Sequence, residues 1–261
     1  MTGSADRWQA RVGARTIGTL HAVTRPDRRC FVIFDDCRDD AYGPLLAAAS
    51  AELDRDLYTT VDEDDRPALR RLTGLGFTIH RHEHNYRIVT DPARYGLTDV
   101  PLPSGVDLIS AADADLDRLR ELDDALRQDI PGTDGWRWDP EGFREQTLGG
   151  SDFDPALYVV AVDRGTGAYV GLLRVWMTRA GPRLGCLGVL PAFRRTRVTG
   201  ALVAAVATTT LHDRGHREVV TVISADNRAA NALLDRRAAV RSGGTYELVR
   251  PQPGSNVNAS T

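Results

Sequence analysis

Three arginines, Arg194, Arg195 and Arg197, crowd into one turn between an apolar run and an Ala/Leu-rich run. The stretch Gly188-Val-Leu-Pro-Ala-Phe-Arg-Arg-Thr-Arg-Val-Thr-Gly-Ala-Leu-Val203 predicts a strand, a loop opened by proline, and a helix. A loop entering a helix N-terminus presents unpaired backbone N–H groups and the positive end of the helix dipole. That is a ready site for a diphosphate. Arginine adds charge for the same anion and grips phosphate oxygens in a bidentate way. The plainer reading is a solvated basic turn between a buried strand and a helix.

The elements that must position this loop follow in order. Glu218-Val-Val-Thr-Val-Ile-Ser224 is β-branched and apolar, which predicts a buried strand. Ala225-Asp226-Asn227 offers capping side chains before a helical run from Arg228 to Arg237. Upstream, Val106–Ser110 reads as a strand and 111–129 as an amphipathic helix. Tyr158–Val162 and Tyr169–Met177, split by Arg164-Gly-Thr-Gly167, read as a hairpin.

This succession resembles the GCN5-related N-acetyltransferases, the GNAT superfamily. Their acetyl-CoA loop runs Val-x-Pro-x-x-Arg-x-x-Gly-x-Gly/Ala, and their next segment runs Asn-x-x-Ala-x-x-x-Tyr-x-x-x-Gly-Phe. Asn227 and Ala230 fall on the second pattern, whereas Leu234, Ala238 and Ala239 stand at its Tyr, Gly and Phe positions. Gly243-Gly-Thr-Tyr-Glu-Leu-Val-Arg250 looks like the last strand of that fold. The resemblance spans about 103–250 and implies an α/β (α+β) architecture, a mixed, mostly antiparallel central sheet flanked by helices.

The resemblance also implies a chemistry. Acetyl-CoA would be the cosubstrate. Leu187, Gly188 and Val189 would present the strand edge that contacts its pantetheine arm. Arg194, Arg195, Thr196, Arg197, Val198, Thr199 and Gly200 would take the diphosphate, and Asn227 would contact the coenzyme from the next helix. Main-chain N–H groups of this edge, with Leu187 as the catalytic candidate, would stabilise the developing oxyanion, usually the largest catalytic contribution. Leu234 removes the tyrosine acid that the family often carries, so Tyr246, with Ser224, His212 and Cys186, is a candidate proton donor. Arg197 and Thr199 occupy positions usually held by Gly and by Gly or Ala. A positive φ there would cost on the order of 1–2 kcal/mol, and a helical backbone would cost nothing.

On the acceptor side, Gly132-Thr-Asp-Gly-Trp-Arg-Trp-Asp139 follows the first helix of this half. Trp136 and Trp138 are candidate walls of an acceptor pocket, and Asp134 or Asp139, with Asp123 and Asp124, candidate partners for an ammonium group. Arg174 and Trp176 share one face of a strand. Each residue has a structural alternative as well, the tryptophans as anchors of a rigid loop.

A second copy precedes the first. Leu57-Tyr-Thr-Thr-Val-Asp-Glu-Asp-Asp65 aligns without a gap to Val219-Val-Thr-Val-Ile-Ser-Ala-Asp-Asn227, and the register continues through Ala68 with Ala230, Leu72 with Leu234, and Gly76-Phe77 with Ala238-Ala239. Before it, 11–24 and Cys30–Asp35 read as strands and 43–53 as a helix. Where the second copy has arginines, this one has Asp35, Asp36, Asp39 and Asp40. Carboxylates repel a diphosphate, so the first copy, which lacks the initial strand and helices, is expected to be a structural or substrate-shaping half. The acidic turn has no regular metal spacing, and no metal site is expected.

These readings divide the chain into a degenerate half at 1–90, a linker at 91–102 carrying Pro92 and Pro101, a catalytic half at 103–250, and a disordered tail at 251–261. The 261 residues are 42% hydrophobic and 26% charged with net charge −3, ordinary for a globular enzyme without a nucleic-acid or anionic-membrane footprint. No apolar run approaches the roughly 20 residues of a membrane span, and the start lacks a signal-peptide pattern, so a cytoplasmic protein is expected, monomeric or homodimeric. Cys30, Cys37 and Cys186 have no zinc spacing and read as reduced thiols. The expected activity is acetyl transfer from acetyl-CoA to a primary amine of a small molecule by direct attack in a ternary complex. A non-catalytic binding module of the same fold and a protein N-acetyltransferase are the alternatives. The chain also resembles tandem acetyltransferases of actinobacterial type, which include enzymes acting on antibiotics or biosynthetic intermediates.

Overall fold

The computed structural model describes residues 6–95, 97, 100–133, 135–236 and 239–252. In chain order its elements are β1 (Asp6–Val12), β2 (Arg15–Thr24), β3 (Cys30–Asp35), α1 (Tyr42–Leu53), β4 (Leu57–Asp62), α2 (Arg66–Gly74), β5 (Thr78–Val89), α3 (Pro92–Tyr95), β6 (Val106–Ser110), α4 (Leu116–Arg127), α5 (Pro140–Leu148), β7 (Tyr158–Asp163), β8 (Tyr169–Thr178), β9 (Gly181–Val189), α6 (Val198–Val203), β10 (Glu218–Ser224), α7 (Arg228–Arg236) and β11 (Val240–Arg250). Two units form: Met1–Glu83 with Gly243–Thr261, and His84–Ser242. Of the linker expected at 91–102, Pro92–Tyr95 forms a helical turn, and residues 96, 98 and 99 lie outside the described residues. So does the expected tail from 253 onward.

In the first unit, buried residues alternate along β4 (Leu57, Thr59, Val61), the period-two signature of a strand with one covered face. They meet Leu45, Leu46 and Ala49 of α1 and Leu72 of α2. β1 and β2 are antiparallel, as are β2 and β3, while β3 and β4 run parallel. The run expected as one strand over 11–24 is strand β2 from Arg15 to Thr24, and the run's first residues are the tip of the β1–β2 hairpin instead. Gly13, with φ +60°, turns the chain between Val12 and Arg15.

The last strand departs from expectation. β11 pairs antiparallel with β4, from Thr245 opposite Asp62 to Arg250 opposite Leu57, so from Gly243 onward it belongs to the first unit. The reason is packing: Leu248 is fully buried in the core that also holds Leu20, Leu46, Leu57 and Phe77.

The second unit is an antiparallel meander of β6, β7, β8 and β9, with β10 added parallel to β9. Helices α4 and α5 cover one face through Leu119, Leu122 and Phe143, and α6 covers the other through Val198 and Leu202. After Val203 the α6 segment widens into π turns over Ala204–Leu211. Each helix on the first face begins at an aspartate: Asp115 accepts from the N–H of Arg118 and Asp139 from that of Gly142.

The internal repeat is present in the elements. Strand, helix, parallel strand, helix occurs as β3–α1–β4–α2 and again as β9–α6–β10–α7. Asp65 accepts a hydrogen bond from the N–H of Ala68 at 2.9 Å, and Asn227 from that of Ala230 at 3.1 Å. The gapless sequence alignment pairs these same residues.

Candidate functional site

In the second unit the parallel pairing of β9 and β10 is registered where Arg183 faces Val220, near the start of each strand. Beyond it β9 keeps its antiparallel partner β8 up to Val189 opposite Gly171. Among the described residues no later pair joins β9 to β10, so the β9 edge is unpaired toward the carboxyl ends of the two parallel strands, the generic ligand position in such sheets. The register of β8 with β9 shifts between Arg174 and Val175, which leaves Gly185 as a bulged residue. A Cβ at Gly185 would stand 2.5 Å from Trp176 Nε1, and one at Gly188 would press on Leu126 at 3.2 Å. The side chains of Leu187 and Val189 pack into the core on the α6 side, so only their backbone is available to a ligand.

Past Leu190, a 3₁₀ turn over Pro191–Phe193 leads to Arg194 in extended backbone. Arg195 then takes a left-handed conformation, φ +64°. Arg197 has φ −80° and Thr199 is helical, so the positions where the sequence departs from the family glycines are not strained. The strain sits on Arg195. At the head of α6 the N–H of Val198 is capped by Thr196 Oγ1 at 3.3 Å, whereas those of Thr199 and Gly200 find no acceptor among the described residues. Arg195 and Arg197 are exposed and make no ion pair among the described residues, while Arg194 pairs with Asp129 beyond the end of α4. Free amides and two uncommitted guanidinium groups thus converge on one turn, which suits a diphosphate.

The corresponding loop of the first unit has the opposite chemistry on a similar backbone. Asp36 is its left-handed residue, φ +48°. Asp35 pairs with His21, Asp39 with Arg71, and Asp40 with Arg38. Among the described residues no cluster of three His, Cys, Asp or Glu gathers as a metal cage.

Other expected site residues fall as follows. Asn227 caps α7 with its side-chain oxygen. Leu234 stands on α7 where the family pattern has tyrosine, and Ala238 lies outside the described residues. Tyr246 lies on β11 in the first unit, packed on that unit's core with its ring 4.6 Å from His82. Ser224 Oγ accepts from the N–H of Asp226, and His212 lies against Arg217. Cys186 is buried beside Asp123 and Arg174, and burial pushes its thiol up to about 11.

The acceptor-side candidates form a buried polar network under the α4–α5 connection. Asp123, fully buried, accepts from Trp138 Nε1 at 2.9 Å and from Arg127 Nε, and lies 3.4 Å from Arg174 Nη1. Burial opposes its charge, yet Arg174 and Arg127 outweigh burial and hold its carboxyl below the ordinary range. Asp124 accepts from the backbone N–H of Trp138 at 3.0 Å; burial and the neighbouring Asp123 push its carboxyl up. Trp136 packs edge-on against Trp138 at 4.7 Å, and the Arg174 guanidinium stacks 4.7 Å from the Trp176 ring. Trp138 and Arg174 are therefore committed to pinning the loop, which leaves Trp136 as the half-exposed wall. Asp139 is spent as a helix cap, and Asp134 lies outside the described residues.

Sequence reasoning missed one polar group, His84 and Tyr86 of β5, which converge on Asn231 of α7. The signal was present: His80, His82, His84 and Tyr86 recur at strand period two.

No protein-family model matches the chain, and no curated protein does. Solved structures do. A GCN5-related N-acetyltransferase from Sphaerobacter thermophilus superposes with a TM-score of 0.65 at 19% identity, over 90% of this chain and 77% of that one. A tandem GNAT protein from the clavulanic acid biosynthesis pathway gives 0.66 at 18%, over 97% and 84%. A GCN5-related N-acetyltransferase from Kribbella flavida gives 0.60 at 18%, over 96% and 91%. The chain has the GNAT acetyltransferase fold, and it superposes along nearly its whole length on a tandem form.

Proposed function

We propose that the unit His84–Ser242 transfers an acetyl group from acetyl-CoA to a primary amine of a small molecule, by direct attack in a ternary complex. The observation that carries this reading is the arginine turn: free N–H groups of Thr199 and Gly200, with Arg195 and Arg197, past the carboxyl end of β9 and beyond its pairing with β10. Only the second unit has this chemistry. Its counterpart at Asp35–Asp40 would repel the same anion.

When bound, acetyl-CoA supplies an activated acetyl thioester. Thr199, Gly200, Arg195 and Arg197 hold the diphosphate, and Arg194 joins once Asp129 is displaced. In the Leu187–Gly188 segment beyond the Gly185 bulge, the one backbone N–H turned away from β8 would serve the developing oxyanion, a contribution on the order of 10²–10³ in rate for a well-placed donor. Cys186 does not act as a nucleophile. A thiol titrating near 11 is thiolate in only about one molecule in ten thousand at pH 7, which favours direct attack over an acetyl-enzyme. With Leu234 in place of a tyrosine acid, the departing thiolate takes its proton from solvent.

Calorimetric titration with acetyl-CoA, followed by thiol release in the presence of an amine library, tests the reading. Saturable micromolar binding that is lost in an Arg194→Ala/Arg195→Ala variant, with amine-dependent thiol release, is expected. No binding at millimolar coenzyme overturns it and leaves a binding module of the same fold.

A further inference from the structure

At the carboxyl end of β10 a cavity of about 410 Å³ opens within the second unit, lined by His84, Tyr86, Arg228, Asn231, Asp235 and Arg241, with small alanine side chains between them. Its floor is wired. Asn231 Nδ2 donates to the carbonyls of Ser224 at 2.9 Å and Asn227 at 2.8 Å, so its Oδ1 is fixed as the acceptor. That oxygen takes the Tyr86 hydroxyl at 2.9 Å and His84 Nδ1 at 3.0 Å. His84 must therefore carry a proton on Nδ1, and Tyr86 must donate. Tyr86 is 3% exposed. Burial, helped by the Asp235 carboxylate, pushes its hydroxyl up, so it stays protonated.

Around this fixed floor the rim carries both signs of charge. Arg228 is exposed and makes no ion pair among the described residues, although Asp235 stands two turns along the same helix face. Arg241 enters from the first residues of β11. A rigid polar floor with separated cationic and anionic rim groups matches a ligand that carries both charges a few bonds apart.

We infer that this cavity binds a small amino carboxylate, its carboxylate held by Arg228 and its ammonium by Asp235. The bound class carries the kind of amine that acetyl transfer consumes, but binding here does not depend on that reading.

The test is titration calorimetry of the full chain, without coenzyme, against each of the common amino acids, with acetate and methylamine as single-charge controls. At least one amino acid saturates at millimolar concentration or below, and both controls bind at least about tenfold more weakly. Arg228→Ala and Asp235→Asn each weaken that amino acid by about ten- to a hundredfold. Both residues are exposed on α7, and unchanged melting temperatures confirm that the variants are folded. Failure of every amino acid to saturate, controls that bind as well as the amino acid, or unchanged affinity in both variants overturns the proposal. Acetyl-CoA titrated into the same samples reads the arginine turn separately, so the two readings fail independently.

Discussion

Asp65 and Asn227 do the same work 162 positions apart in the sequence: each accepts the backbone N–H three residues on, Ala68 at 2.9 Å and Ala230 at 3.1 Å, and so starts the second helix of its copy. A cap is worth about 1 kcal/mol. Asp65→Ala and Asn227→Ala should each lower stability by about that amount in denaturant titrations. Only Asn227→Ala should also weaken acetyl-CoA. Equal effects of both substitutions on coenzyme would count against a one-sided site.

The Asp123–Arg174 pair is shielded, with side-chain exposures of 0% and 4%. Removing one partner leaves a buried charge uncompensated, so Asp123→Asn or Arg174→Met should cost about 3–5 kcal/mol. The double change to apolar residues should cost less than the sum.

Two groups of this network set opposite pH limits. The carboxyl of Asp123 is depressed in the folded state, so its contribution is complete above the unfolded value near 4 and is lost as pH falls through the lower folded value. Cys186 is raised from 9.0 to about 11, so its contribution is complete below about 9 and is lost as pH climbs toward 11. Melting temperatures of the Cys186→Ala variant should be flatter than wild type over that alkaline interval. The same burial predicts that Cys186 resists alkylation at pH 8 in native protein and reacts once the protein is denatured.

Arg194 is the arginine of the turn that already has a carboxylate, Asp129. Both side chains are about half exposed, and such a pair is worth at most about 1 kcal/mol. Asp129→Ala should therefore tighten acetyl-CoA by no more than about fivefold, with the gain shrinking as salt rises. An affinity that falls in Asp129→Ala would show that Asp129 positions Arg194 instead of competing for it.

Arg195 bears left-handed backbone at the same turn, φ +64°. Arg195→Gly should raise thermal stability by up to about 1 kcal/mol while weakening coenzyme binding through the lost charge. A stable variant with unimpaired binding would assign the diphosphate to Arg197 and the free amides alone.

Most of the second half was legible because its signals are local. The apolar run before Pro191, the arginines, the Asn227 cap and the hairpin around Arg164–Gly167 each act over a few residues. The gapless match of the two copies, a longer-range signal, was equally clear, and the capping bonds of Asp65 and Asn227 bear it out. What sequence could not show was partner choice. β11 reads as the closing strand of the second copy because it follows α7, yet strand pairing is decided by which core buries Leu248. Trp138 and Arg174 read as pocket walls because their chemistry suits a ligand, but Asp123 and Asp124 claim the same donors. His84 and Tyr86 were overlooked because their partner, Asn231, is remote in sequence.

The first unit is complete only after the whole of the second has been synthesised. Until β11 is synthesised, β4 holds an open edge of backbone donors and acceptors, and the core around Leu57 and Phe77 lacks Leu248. A cut anywhere between the two copies therefore strips a strand from the first unit, so neither copy's stretch of sequence is a complete module by itself.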